Sequence, residues 1–255
     1  MSEPDRKNYG GGRKAMNQTG ISWTDYTWNP VSGCNKVSPG CQNCYAEVWS
    51  KRWKRSFEVT LHPEKLKEVN KIPSGSKVFV NSMSDLFHEN VPFSFMKKVF
   101  DAIKSRPDVI FQVLTKRPER ALDFEQNNAI FSFQFPDNLW LGVSVEMMRY
   151  NNRIKILNKT SAKVKFISFE PLIGNIGDVD FKGISWIIIG GESGPHHRPM
   201  NIEWARNLTE QAKEQGVAVW MKQLGGFRPG GNLEDFPEDL RLREFPECKK
   251  EKVKQ

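Results

Sequence analysis

Cys34, Cys41 and Cys44 fall within eleven residues and are three of the four cysteines in a 255-residue chain. Three thiolates at that density can hold a four-iron, four-sulfur cube. Each ligates one iron, and the fourth iron is left open to a small molecule. A second chemistry is also open to them. Cys41 and Cys44 form a two-residue knuckle suited to tetrahedral zinc, with Cys34 and either His62 or Cys248 completing four ligands. No second knuckle follows at zinc-finger spacing. Disulfide pairing is disfavoured, because no secretory leader is read at the start and cytosolic thiols stay reduced. The expected location is therefore cytoplasmic.

Either chemistry needs a frame that carries the loop and brings other polar groups to it. Ile21 to Tyr26 reads as a short strand ahead of the cysteines. Tyr45 to about Phe57 reads as a helix burying Ala46, Trp49 and Trp53 at helical spacing. An apolar run followed by a polar word then recurs, at Lys77–Asn81, Val109–Leu114, Leu139–Val143, Val164–Ser168, Trp186–Ile189 and Val217–Met221. Helical spacing follows several of these runs: Phe93 to Ser105, up to Gln126, Met148 to Asn158, and Asn201 to Gln215. Such alternation is the sequence form of parallel βα units, and right-handed crossovers gather the polar words on one face. An open doubly wound sheet, with ligands at a switch point, is the rival arrangement.

Lys and Arg exceed Asp and Glu by 38 to 30, and a formal charge of +8 attracts polyanions, although it also serves solubility. Lys51, Arg52, Lys54 and Arg55 surround Trp53, a pattern that can contact phosphates and stack a base. It also fits a solvated helix face with Trp53 in the core. No apolar run approaches the roughly 20 residues that span a bilayer. Residues 1–18, with three consecutive glycines and no apolar periodicity, read as a disordered tail; 19–226 form the α/β body; 227–255 form an extension ending in basic residues.

The three cysteines, with Ile21-Ser22-Trp23-Thr24-Asp25, Trp28-Asn29-Pro30 and Cys44-Tyr45-Ala46, resemble the radical S-adenosylmethionine superfamily. Within it they look like a phage-associated three-cysteine branch, and the likeness runs to about Gly226. The six residues between Cys34 and Cys41 exceed the usual superfamily gap by three. The resemblance implies a partial (β/α) barrel of six to seven parallel strands with a [4Fe–4S] cluster on Cys34, Cys41 and Cys44. S-adenosylmethionine would bind at the open iron, and a reductant such as flavodoxin or ferredoxin would supply an electron to a monomer. The 5′-deoxyadenosyl radical so formed would act on a nucleic acid or nucleotide, DNA ahead of RNA, in repair akin to the radical photoproduct lyases or in base modification. A peptide or protein substrate is an alternative, as is a zinc-stabilised nucleic-acid-binding protein without catalysis.

Site residues follow from the polar words. By resemblance, Ser82, Ser84 and Asp85 receive the cofactor amine, Thr115 and Lys116 stand near its carboxylate, and Ser144 or Glu146 meets the ribose. Glu170 and Glu192, each after an apolar strand, suit adenine, ribose or substrate contacts, or acid/base work as a pair. Arg117 is placed with the nucleic-acid contacts, together with His196, His197 and Arg198, which face the substrate. The adjacent histidines do not read as a metal pair, since ligands on one helix face want three or four residues between them. Cys248 is a candidate hydrogen-atom donor. The plainer roles are helix opening for Lys116-Arg117-Pro118, capping for Ser144 and tight turns for the Gly190–Gly194 glycines.

Overall fold

The structure, a computed structural model, describes residues 18–126, 133–228, 230 and 232–246. Residues 1–17 of the expected tail, and Cys248, lie outside the described residues.

The described residues form nine strands and five α-helices: β1 (Tyr26–Trp28), β2 (Val31–Ser32), α1 (Tyr45–Arg52), β3 (Thr60–Leu61), β4 (Lys77–Val80), α2 (Phe93–Lys104), β5 (Ile110–Thr115), α3 (Pro118–Gln126), β6 (Leu139–Ser144), α4 (Asn152–Leu157), β7 (Val164–Phe169), β8 (Trp186–Gly190), α5 (Ile202–Glu214) and β9 (Ala218–Gln223). Seven of them form one parallel sheet in the order β1-β4-β5-β6-β7-β8-β9. Because spatial order follows chain order, there is no switch point. The sheet curls into a half-barrel with every strand's C-terminal end at one mouth. The expected partial barrel is the observed fold, and the doubly wound alternative is not.

Alternation along the strands separates two cores. Outward residues such as Val78, Val80, Phe111, Val113, Leu141, Ile167, Ile187 and Val219 pack against the helices. Inward residues at the closed end, Phe79, Trp140, Phe166, Trp186 and Trp220, join Trp23 in an aromatic floor. Phe245 of the C-terminal extension packs into this floor, with ring centroids 4.7 Å from Trp220 and 5.5 Å from Trp186. Toward the mouth the inward positions turn small and polar: Trp140 is followed by Gly142 and Ser144, Phe166 by Ser168 and Glu170, Trp220 by Lys222. Gly142 is required here, since a Cβ would stand 2.5 Å from the Phe166 ring.

Two local expectations are corrected. The first strand is Tyr26–Trp28 rather than Ile21–Tyr26. Asp25 and Thr24 are spent on Lys77, through Lys77 N–H to Asp25 Oδ2 (2.7 Å) and Thr24 Oγ1 to Lys77 O (3.1 Å), so ladder partners begin at Tyr26. The helix after the cysteines is not a barrel helix. Residues between β1 and β4 make an excursion closed by the antiparallel pairs Val31↔Leu61 and Ser32↔Thr60. The turns of Pro63–Lys71, with Val69 buried, supply the crossover instead. α1 is left with Ala46 and Ser50 buried, while Trp49 and Trp53 are about half exposed.

Candidate active site at the barrel mouth

The cysteine loop lies across the mouth because the β2–β3 pair pins both ends of its excursion just beyond β1. Cys34 N–H donates to Phe57 O (3.1 Å), and Gly33 N–H to Met83 O (3.1 Å). Three charged clusters from the strand ends then hold the loop from beneath.

The first cluster is centred on Asp85, in the turn after β4. Its carboxylate accepts from Phe87 N–H (3.0 Å), Thr115 Oγ1 (2.7 Å), Lys116 N–H (3.1 Å) and Arg117 Nη1 (3.1 Å). Arg117, 9% exposed, also donates from Nη1 to the Cys34 sulfur (3.5 Å), from Nε to Glu89 (3.2 Å) and to the Asn35 side chain. Asn35 in turn donates to Glu89 (2.7 Å). Burial pushes the Cys34 thiol up, the charge of Asp85 adds to this, and Arg117 opposes both. Burial alone would lower the Arg117 guanidinium, but Asp85 and Cys34 outweigh it and raise its pKa above the ordinary value. Glu89, accepting a backbone N–H and the Asn35 amide, is held at about 2.

The second cluster follows β6. Glu146 is fully buried, accepts from Arg153 Nη1 (2.7 Å) and receives the Ser38 hydroxyl of the loop; Arg153 also donates to Ser144 O (2.8 Å). Gly40 lies so close that a Cβ there would meet Glu146 Oε1 at 2.8 Å. The third cluster follows β8. Glu192 accepts from Asn43 Nδ2 (2.9 Å) and from Arg198, whose Nη2 also reaches Pro39 O (3.0 Å). Burial raises the Glu192 pKa, but the Arg198 and Asn43 donors outweigh it and bring the carboxyl below its usual range.

Strand-end residues selected from sequence thus converge on the mouth, in different settings. Asp85, Thr115, Arg117, Glu146, Glu192 and Arg198 are engaged in the tethers. Ser82 and Ser84 donate to Asn29 Oδ1 (3.2 Å) and Val31 O (2.8 Å), and the Ser82 carbonyl accepts the Tyr45 hydroxyl. Ser144 faces the barrel interior, as does Glu170, whose Oε1 is 2.5 Å from Lys222 Nζ. Glu170 and Glu192 therefore have separate cations. Lys116 lines an open cleft of about 390 Å³ with Val37, Arg149, Tyr150 and Arg153. Lys51, Arg52, Trp53 and Arg55 are exposed at α1, and His196 and His197 are exposed beside Asn43, which donates to His196 O (2.8 Å).

Lys222, Arg153, Asn43, Asn35 and Ser38 were not selected from sequence. Lys222 carried a usable signal, since it closes an apolar strand as Glu170 does.

All three cysteines are free thiols of intermediate exposure. Among the described residues no three His, Cys, Asp or Glu side chains gather as a metal-ion site. His62, the other proposed zinc ligand, has its ring on Ser32 Oγ (2.8 Å) and near Glu64 (3.4 Å). The donor chemistry suits an iron–sulfur cube, with three soft thiols on one loop and a cationic N–H donor at one sulfur. No helix among the described residues is long and apolar enough to cross a membrane.

The profile of the family described as "Protein of unknown function (DUF5131)" matches residues 18–253. No curated protein matches the chain. Among solved structures, a cysteine-to-serine mutant of spore photoproduct lyase is similar with a TM-score of 0.46 and 12% identity, covering 79% of this chain and 65% of that one. Spore photoproduct lyase complexed with dinucleoside spore photoproduct gives 0.42 and 11%, covering 80% and 66%. The chain thus spans just under two thirds of each of those chains.

Proposed function

We propose that this chain, which belongs to the DUF5131 family, is a radical S-adenosylmethionine enzyme that acts on a nucleic acid, in base repair or modification. The observation that carries this reading is the position of the three thiols: one loop, laid over the mouth of a parallel half-barrel and tied down by the ends of β4, β5, β6 and β8. Cys34, Cys41 and Cys44 would hold a [4Fe–4S] cluster. When bound with S-adenosylmethionine, that cluster supplies a reductive cleavage yielding a 5′-deoxyadenosyl radical.

The chain's own residues then have distinct tasks. Asp85 fixes Arg117 and the turn at 115–117, and Arg117 donates to the Cys34 sulfur. Glu146 and Glu192 hold the Ser38–Asn43 stretch in place. Ser144, Ser168, Glu170 and Lys222 form a polar rim above the aromatic floor, where amine, carboxylate and hydroxyl groups of a bound cofactor find donors and acceptors. The floor of Trp23, Phe79, Trp140, Phe166, Trp186 and Trp220 keeps water out from below.

Anaerobically purified protein tests the reading. We expect a brown protein with about four irons and four sulfides per chain, and 5′-deoxyadenosine on addition of S-adenosylmethionine and dithionite. Replacing any one of the three cysteines by alanine should abolish the product. A colourless protein holding one zinc would overturn the proposal, as would cysteine variants that retain iron and cofactor cleavage.

A further inference from the structure

α1 carries an apolar stripe that the described residues leave about half exposed. Tyr45, Val48, Trp49 and Trp53 recur at helical spacing, and each is between 46% and 49% exposed. The two indoles contact one another edge to face, with centroids 4.9 Å apart and planes at 81°. An amphipathic helix ordinarily turns such a stripe into the core. Here the crossover to β4 is made by Pro63–Lys71, and α1 stays at the mouth beside the cysteines.

The charge around the stripe is one-sided. Lys51, Arg52, Lys54 and Arg55 are exposed, and the one acid of the helix, Glu47, is taken up by Lys51 (2.6 Å) and Lys36 (3.2 Å). Arg52, Lys54 and Arg55 have no carboxylate partner among the described residues, and the Arg55 guanidinium lies 5.5 Å from the Trp53 ring centroid. A second copy of the chain would bring the same uncompensated cations against these. An apolar protein surface would leave them desolvated without partners. A ligand with alternating flat aromatic faces and negative charges satisfies both the indoles and the cations.

We propose that α1 is a stacking platform for unpaired nucleotides: single-stranded or locally unstacked nucleic acid lays bases on Trp49 and Trp53, with its phosphates on Arg52, Lys54 and Arg55. This rests on the nucleic-acid reading above for its ligand class and adds the strand state and the residues that read it. Duplex DNA keeps its base faces stacked inside the helix and offers the indoles nothing comparable. The platform borders the cysteine loop, so a strand lying on it is presented to the barrel mouth.

The test uses the full chain and a fluorescein-labelled 12-nucleotide DNA strand, the same strand as RNA, and the corresponding DNA duplex. Fluorescence anisotropy is followed over a salt series. Wild-type protein should bind the single strands at least tenfold more tightly than the duplex. Trp49→Ala/Trp53→Ala should lose roughly 5- to 150-fold per stacked base with its salt slope unchanged, and Trp49→Phe/Trp53→Phe should recover part of the loss. Arg52→Ala/Lys54→Ala/Arg55→Ala should reduce the log–log salt slope by about 2.

Equal binding of strand and duplex would overturn the platform, as would wild-type affinity in the double tryptophan-to-alanine variant. So would a wild-type dimer, seen by sedimentation, that dissociates in that variant. The iron and sulfide content of wild-type protein is independent of these titrations. A cluster-loaded protein indifferent to strand state would sink the platform alone, and a cluster-free protein that prefers single strands would sink the radical reading alone.

Discussion

The cysteine loop and α1 are adjacent parts of one excursion, yet they handle charge in opposite ways. On the loop side three arginines each have a fixed acid beneath the chain: Arg117 on Asp85, Arg153 on Glu146, Arg198 on Glu192. On the helix side Arg52, Lys54 and Arg55 stand in water beside exposed indoles. A buried ion pair contributes little net stability but is costly to break from one side, so it sets position. A solvated cation contributes little to the fold and is available to a ligand. The contrast separates a region built to hold still from one built to bind.

Breaking the tethered side should give the largest effects. Asp85→Ala removes the buried acid of Arg117, leaving it only the half-exposed Glu89 (3.2 Å), and frees the turn at 115–117. A loss of about 3–5 kcal/mol in chemical denaturation is expected, with the loop around Cys34 becoming accessible to thiol reagents. A change under 1 kcal/mol would mean that this cluster positions nothing. Gly40→Ala presses a methyl against Glu146 Oε1, which cannot retreat because Arg153 holds the carboxylate. About 1–3 kcal/mol should be lost, and an unaltered midpoint would show that the loop sits higher than described.

Glu192 sharpens the comparison through pH. Its folded-state pKa lies below the unfolded value, so its contribution is present above the ordinary carboxylate range and is lost as pH falls through the folded value. Glu192→Gln should cost about 1–2 kcal/mol near neutrality and flatten the acid limb of the stability profile. Parallel profiles for the variant and wild type would contradict the assignment. Smallest of all should be Trp49→Ala and Trp53→Ala, each within about 0.5 kcal/mol because neither indole is in the core. A midpoint shift equivalent to 2 kcal/mol in either would show that α1 is packed rather than free.

Much of the frame was readable before the structure because its signals are local. Each strand from β4 to β9 announced itself as an apolar run closed by a polar word, and the words fell at the mouth as right-handed parallel units require. Glu170 and Glu192 were selected by that rule, and Asp85, Thr115 and Glu146 by the rule together with the superfamily resemblance. Trp49 was misread as core, and Trp53 was left between core and base stacking, for an equally local reason: helical spacing shows that residues share a face, not what the face meets. β1 was displaced because apolar and polar residues alternate on both sides of Asp25, and only the ladder with β4 distinguishes them.

What the order of residues determined by itself was the succession of βα units, the thiol triad, and the excess of positive charge around a tryptophan. These depend on neighbours a few positions apart. Tertiary structure alone decided which acid meets which cation, that Lys222 faces Glu170, and that the crossover to β4 bypasses α1. Two of the ion pairs, Arg153 with Glu146 and Arg198 with Glu192, are local. Arg117 with Asp85, Lys222 with Glu170, and Ser38 and Asn43 with Glu146 and Glu192 join residues tens to more than a hundred positions apart, because the curvature of the sheet brings strand ends together in space whatever their separation along the chain.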